Sequence, residues 1–235
     1  MTSCWNPLVF NMKIIAHRGA PLLAPENTLK SFRLAKESGL VYFELDVHLS
    51  KDGQLVVTHD ESLKRVTGRD AFVKDLDYKE IFSLDAGEGE KIPLLAEVMK
   101  VLGEDTVLNI EIKTDITAYP GIEEKVLSSV KTLWVDWSER VIISSFNFNT
   151  LINVRALDET VKIGLLTREF NAEQAERLKA FSLNMSYKRI TKDIVNKAKE
   201  MGLEVWIYTI NNREIFAQMK ELGADAVFTD NPYLV

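Results

Sequence analysis

The sequence predicts an α/β fold: a single (β/α)₈ TIM barrel with a β-hairpin after its second strand. Three observations lead there. Apolar runs alternate with helical patterns in a steady rhythm from residue 94 onward. Helical stretches end repeatedly at glycine, at Gly39, Gly103, Gly202 and Gly223. The strand count, once a hairpin strand is set aside, is eight. Strand, helix, glycine, strand is the order of parallel βαβ units. A length of 235 residues suits one such barrel, and no composition break or linker divides it. A doubly wound open sheet has the same periodicity, which carries no information on closure.

The elements follow in order. Residues 1–11 precede a self-sufficient strand and read either as an upstream start or as an extra N-terminal arm. The apolar run at 14–16 is the first strand; Pro21 and Pro25 then forbid regular structure until about Asn27. Strands follow at 42–47 and 54–58, joined only by "HLSKDG". That turn is far too short for a parallel crossover, so 54–58 returns antiparallel and is the strand to set aside. The hairpin overshoots the rim, turns at Asp52–Gly53 and brings His59 and Asp60 back to the mouth. Residues of about 60–92 lack the βα rhythm and form a small insertion over that face. The remaining strands are expected at 107–112, 141–144, 162–166, 181–183, 204–208 and 226–229. Between them lie helices such as "TKDIVNKAKEMG", where Ile194, Val195, Ala198 and Met201 share one face. The whole of 1–235 is thus one barrel domain with the 60–92 insertion inside it.

Composition narrows the function. Hydrophobic residues at 46% and charged residues at 27% describe a globular protein, and a net charge of −6 argues against non-specific nucleic-acid binding. An anionic substrate therefore needs locally concentrated positive charge. The lone Cys4 allows no intrachain disulfide and no cysteine metal cage, which fits a reducing compartment. No run approaches a membrane span, and the N-terminus lacks the basic and apolar regions of a signal peptide, so a cytoplasmic location is expected. Oligomeric state is not legible.

The candidate chemistry sits at strand ends. In "YFELDVHLS", Glu44 and Asp46 are two apart, so both carboxylates point to one face, the barrel interior near its mouth. In "VLNIEIKTD", Glu111 and Lys113 repeat the device. Buried carboxylates demand a cation. Two answers fit: an oxygen-liking divalent ion, Mg²⁺ or Ca²⁺, or an ion-pair network with Arg18 and Lys113. Of only three histidines, His17 and His59 fall at strand ends on the same rim, matching the acid, base and cation that phosphodiester hydrolysis needs. His48 reads as a solvated turn residue. Trp206 and Tyr208 share a face that is either core or a wall for the non-phosphate half of a substrate.

Together, "HRGAP…PENT", "ELDV-x-LSKDG-x-LVVTHD", "NIEIK", "SSF", "VWIYTIN" and "GADAVFTDNP" stand in one order, and over 12–233 the chain resembles the glycerophosphodiester phosphodiesterases. The resemblance implies a (β/α)₈ barrel with a small insertion and metal-dependent release of glycerol 3-phosphate and an alcohol from glycerophosphodiesters. It implies His17 and His59 as the acid/base pair, Glu44, Asp46 and Glu111 as ligands of one divalent cation, and Arg18 and Lys113 as phosphate contacts. Trp206 is taken as a further substrate contact. The chain departs from the family at Ser50, often threonine, and in "WIYTIN", where the family often has "WTVN", so Thr209 and Asn211 are left unassigned. Three other readings are weighed: a phospholipase D-like or lysophospholipid-cleaving relative, a non-catalytic phosphodiester-binding barrel, and a sugar-phosphate isomerase. The first calls for a longer apolar lip, the second has no use for two titratable histidines, and the third needs no carboxylate cluster.

Overall fold

Nine strands form in the computed structural model, which describes residues 12–234; the expected arm at 1–11 lies outside the described residues. The strands are β1 (Lys13–His17), β2 (Tyr42–Leu49), β3 (Leu55–Val57), β4 (Val107–Ile112), β5 (Val141–Ser145), β6 (Lys162–Leu166), β7 (Ser182–Ser186), β8 (Glu204–Tyr208) and β9 (Ala226–Thr229). Eight of them, all but β3, are parallel, and β1 pairs with both β2 and β9. The sheet therefore closes on itself as a barrel, and the open-sheet alternative fails. Helices α1 (Leu29–Glu37), α4 (Leu95–Leu102), α5 (Ile122–Leu133), α7 (Phe148–Leu157), α8 (Ala172–Leu178), α9 (Lys192–Glu200) and α10 (Arg213–Leu222) lie along the crossovers. The insertion supplies the short α2 (Lys64–Thr67) and α3 (Tyr78–Ser83), and a further short helix, α6 (Trp137–Arg140), precedes β5.

Two apolar layers hold the barrel, and strand alternation sorts residues between them. Outward-facing Phe43, Leu45, Leu108, Ile110, Ile143 and Ile163 pack under the helices. Inward-facing Ile15, Ile142, Trp206, Ala226 and Phe228 plug the lower barrel. Above that plug the inward positions turn polar, with Glu44, Asn109, Glu111, Ser144 and Asn184 all buried. This polar layer explains the one displaced strand. β7 was expected at 181–183 but runs Ser182–Ser186, because Asn184 and Ser186 look like turn residues in sequence, whereas Asn184 points into the polar upper barrel.

The hairpin sits where β1 leaves off. Glu44 O accepts from Arg18 N, and two residues on, Asp46 O accepts from Thr58 N, each at 3.1 Å on the same edge of β2. β3 thus continues the sheet beyond the end of β1 and delivers His59 to the mouth. The insertion has its own core of Val56, Leu63, Val73, Ile81, Ala86 and Ile92. It is a packed unit seated on β3.

Candidate active site

The carboxylates converge as the spacing predicts. Glu44, Asp46 and Glu111 offer one oxygen each within 4.8 Å of one another, the one such cluster of three potential metal ligands among the described residues. Pairing explains it: Asp46 lies opposite Glu111 on the adjacent strand, and Glu44 is one inward step below Asp46. Arg18 N donates to Glu44 Oε2 at 3.1 Å, and Asn27 Nδ2 to Asp46 Oδ2 at 3.0 Å. Both Arg18 and Asn27 have positive φ, 58° and 57°, a conformation costing a non-glycine residue roughly 1–2 kcal/mol. The tight loop after β1 holds them so that backbone and side-chain donors point inward. Gly19, at φ 87°, lets this loop pass directly over α1: a Cβ there would lie 2.7 Å from the Ser31 carbonyl carbon.

Cations compensate the cluster unevenly. Lys113 Nζ lies 2.7 Å from Glu111 and 3.7 Å from Asp46, and Arg18 Nε is 3.3 Å from Asp46. Burial works to raise Asp46, yet Arg18 and Lys113 outweigh it and hold this carboxyl below its ordinary value. Burial and then the Asp46 charge push Glu44 well above the carboxylate range, and the same two causes lift Glu111 to about 7. Asp46 Oδ1 is buried and makes no hydrogen bond. An ion-pair network alone leaves that oxygen without a hydrogen bond, its cation Lys113 Nζ no nearer than 3.7 Å, and leaves two carboxylates short of positive charge. A hard divalent cation among three oxygen donors would supply both needs, so these residues fit one.

His17 and His59 are each braced by a separate carboxylate. His17 Nδ1 meets Asp230 Oδ1 at 2.6 Å, and Asn211 orients Asp230 by donating Nδ2 to Oδ2 at 2.6 Å. His59 Nδ1 meets Asp60 Oδ1 at 2.6 Å. A carboxylate only accepts, so the Nδ1 proton is fixed in both rings and Nε2 is the working atom. His17 Nε2 lies 4.0 Å from Glu44, and His59 Nε2 lies 3.4 Å from Lys113 Nζ. Burial, together with Arg18 and Lys113, lowers the His59 pKa. His48 differs from the expectation of a solvated turn residue. It is 2% exposed, with Nδ1 at 3.0 Å from Tyr119 Oη and Nε2 at 3.1 Å from the His59 carbonyl. The hairpin folds the chain over it, which a linear reading of "DVHLS" does not show.

A cavity opens above the plug, and its lining includes His17, Arg18, Glu44, His59, Glu111 and Tyr208. Trp206 is not in that lining and is corrected as a substrate contact. It is 1% exposed, one inward step below Tyr208, and its indole donates to Glu204 at 2.8 Å. Tyr208, Phe228 and Phe146 form the aromatic wall instead. On the outer side of His59 a second cavity shares His59 and Phe146 and continues past Lys113, Asp115 and Ile116 to Arg168. Sequence reasoning missed Asp230, Glu26 and Asn27, brought Asp60 to the mouth without a role, and left Asn211 unassigned. All five lie inside the quoted motifs, so the signal was present; the partner each one holds is set by tertiary packing.

A barrel with a carboxylate trio and two braced histidines at its C-terminal mouth defines a class of phosphoric diester hydrolase. Comparison agrees. The sequence profile of the Glycerophosphoryl diester phosphodiesterase family matches residues 17–234, and the chain belongs to that family. A glycerophosphodiester phosphodiesterase of Caldanaerobacter subterraneus subsp. tengcongensis is 42% identical, over 93% of this chain and 94% of that protein. An Oleispira antarctica phosphodiesterase, solved in complex with the product sn-glycerol-3-phosphate, superimposes with TM-score 0.86 at 32% identity, covering 94% of this chain and 93% of that one. A glycerophosphodiester phosphodiesterase of Thermotoga maritima gives TM-score 0.79 at 31% identity, over 95% and 96% of the two chains. No helix among the described residues is long and apolar enough to cross a membrane.

Proposed function

We propose that this chain hydrolyses glycerophosphodiesters to sn-glycerol 3-phosphate and an alcohol by paired histidine acid–base catalysis around one divalent cation, Mg²⁺ or Ca²⁺. One observation carries the reading: two imidazoles, each with Nδ1 held by a separate carboxylate, line one cavity together with Glu44 and Glu111, with Asp46 buried beside these two carboxylates. The product complex of the Oleispira relative supports the substrate class. Glu44, Asp46 and Glu111 would hold the cation, which supplies positive charge to the non-bridging phosphate oxygens.

The residues divide the rest of the work. Arg18 and Lys113 bind the phosphate; burial opposes the Lys113 charge, but Glu111 and Asp46 raise its pKa and keep it cationic. His17 takes the proton from the attacking oxygen, either water or the neighbouring glycerol hydroxyl, and Asp230 stabilises the imidazolium. His59 gives its proton to the departing alkoxide, a contribution typically worth about 10²- to 10⁴-fold. The second cavity on the outer side of His59 takes the alcohol's head group. The barrel and its insertion act as one domain, since both carry site residues. The single cysteine supports action in a reducing compartment, the cytoplasm.

The invariant part of the substrate is glycerol phosphate, and the head-group cavity mixes Asp115, Lys113 and Arg168 with Ile116 and Phe146. Selectivity among head groups is therefore expected to be loose. Assaying purified glycerophosphocholine, glycerophosphoethanolamine and glycerophosphoglycerol for released sn-glycerol 3-phosphate tests both claims. Specificity constants within about a hundredfold, or 2.7 kcal/mol of transition-state binding, are expected. A larger preference for one head group refutes loose selectivity; no release from any refutes the substrate class.

A further inference from the structure

The two histidines are braced from different parts of the fold. His17 leans on Asp230 at the end of β9, within the barrel. His59 leans on Asp60, and Asp60 leans on the insertion: Arg65, in α2, donates Nε to Asp60 Oδ2 at 2.5 Å. The same guanidinium grips Glu26 with both remaining nitrogens, Nη2 to Oε1 at 2.7 Å and Nη1 to Oε2 at 3.1 Å. Glu26 Oε1 in turn accepts from Arg18 Nη1 at 3.1 Å, and Arg18 Nε lies 3.3 Å from the metal-site carboxylate Asp46. One circuit, His59–Asp60–Arg65–Glu26–Arg18–Asp46, thus ties the expected acid to the expected phosphate clamp, and its middle link comes from outside the barrel.

Building on the function proposed above, we infer that Arg65 is a positioning residue for catalysis: it fixes the His59 ring relative to Arg18, which is the insertion's contribution to the reaction. Three features of the structure carry this. The geometry needs a fork. A guanidinium can serve Glu26 bidentately while its third nitrogen serves Asp60, whereas an ammonium meets one carboxylate well at a time. The circuit is shared, since Glu26 Oε1 takes Arg18 and Arg65 together, so the positions of the two arginines are coupled. Its carboxylates also stay charged: burial opposes it, but hydrogen bonds from Arg65 and His59 hold Asp60 down at about 2, and the two arginines hold Glu26 below its ordinary value. Arg65 itself is 48% exposed at its side chain, so it fills no core space. An isolated surface pair of that exposure contributes little to stability. What its three-point contact supplies is alignment.

The test uses the full chain. Arg65→Lys keeps the charge and removes the fork; Arg65→Gln removes both. Turnover of glycerophosphocholine, thermal midpoint and the ring NMR signals of the three histidines are measured for each. For Arg65→Lys, kcat is expected to fall by about tenfold or more, since misplacing a catalytic group by an ångström can cost on the order of 10²-fold. KM should change by less than about threefold, because Arg18 keeps its contact with Asp46 and effects on kcat and KM separate transition-state from ground-state losses. The His59 ring signal should shift while that of His17 stays.

Combining Arg65→Lys with His59→Ala should lower kcat no further than His59→Ala alone, because residues acting as a unit are non-additive. A wild-type kcat and an unmoved His59 signal in Arg65→Lys overturn the inference. So does an equal loss in the His59→Ala background, which would make Arg65 a scaffold residue. If the Arg65 variants do not fold, Glu26→Gln breaks the same circuit at its other carboxylate, and an unmoved His59 signal there overturns the inference as well. The NMR readout requires no turnover. A chain inactive on every diester would therefore refute the proposed function, while the His59 signal still decides the role of Arg65.

Discussion

At the scale of single residues, the site works because each reactive atom has one option left. Asp230 and Asp60 claim the Nδ1 protons of His17 and His59, which leaves Nε2 as the free nitrogen of each ring, and both rings line one cavity. The proposed assignment of His59 as the acid rests on place. His59 arrives on the hairpin from outside the barrel and borders the second cavity, where an alcohol would leave; His17 sits inside, beside Glu44. This division predicts a leaving-group effect. On a natural diester, His59→Ala should lose about 10²- to 10⁴-fold, the usual worth of a general acid. A nitrophenyl diester, whose leaving group departs without a proton, should largely escape that loss. His17→Ala should slow both substrates alike. Rescue by the nitrophenyl group in His17→Ala would swap the roles, and rescue in neither would end this assignment.

At the scale of elements, the junction of β1 and α1 is where sequence and function are most tightly bound. The chain must leave β1, present Arg18 at positive φ and enter α1 within a loop that contains both Pro21 and Pro25. Gly19 makes room, because a Cβ would press on the α1 backbone at Ser31 and Phe32, at 2.7 and 2.9 Å, in a φ that side chains avoid. Gly19→Ala should therefore destabilise the fold by roughly 1–3 kcal/mol and also reduce turnover by displacing Arg18 and His17. Gly39→Ala is the control: φ there is also positive, at 90°, but a Cβ meets nothing within 4 Å. It should cost only about 1 kcal/mol and leave kcat intact. Chemical denaturation and steady-state kinetics on both variants check the contrast; equal kcat loss in the two would contradict it.

At the scale of the whole molecule, most of the fold was legible because the barrel repeats itself. Eight apolar runs at βα spacing, one hairpin turn too short for a crossover, and glycines ending helices are local signals, and all nine strands form where these signals stand, with edges shifted by a few residues. Closure was not legible, since it is a pairing of β1 with β9 across nearly the full chain. The carboxylate trio was legible from the two-residue spacing of Glu44 and Asp46 and its echo at Glu111. Trp206 was placed one step too high, because alternation gives its face of the strand but not its depth in the barrel. The circuit through Arg65 was invisible: its members at 18, 26, 46, 59, 60 and 65 meet only after the hairpin and insertion fold over the mouth.

The central claim is that the carboxylate trio holds a divalent cation on which turnover of glycerophosphodiesters depends. Without one, two of the three buried carboxylates are pushed toward protonation and Asp46 Oδ1 makes no hydrogen bond. The direct measurement is release of sn-glycerol 3-phosphate from glycerophosphocholine by protein stripped with chelator and then titrated with Mg²⁺ or Ca²⁺, with the thermal midpoint followed in parallel. Activity should vanish on stripping and return with the metal. The midpoint should rise as the ion binds, since linkage adds about 2.7 kcal/mol to the folding stability at a hundredfold excess over Kd. Glu111→Gln, which keeps size and removes charge, should shift both titrations to higher metal concentration. Full turnover in protein shown to be metal-free would contradict the account.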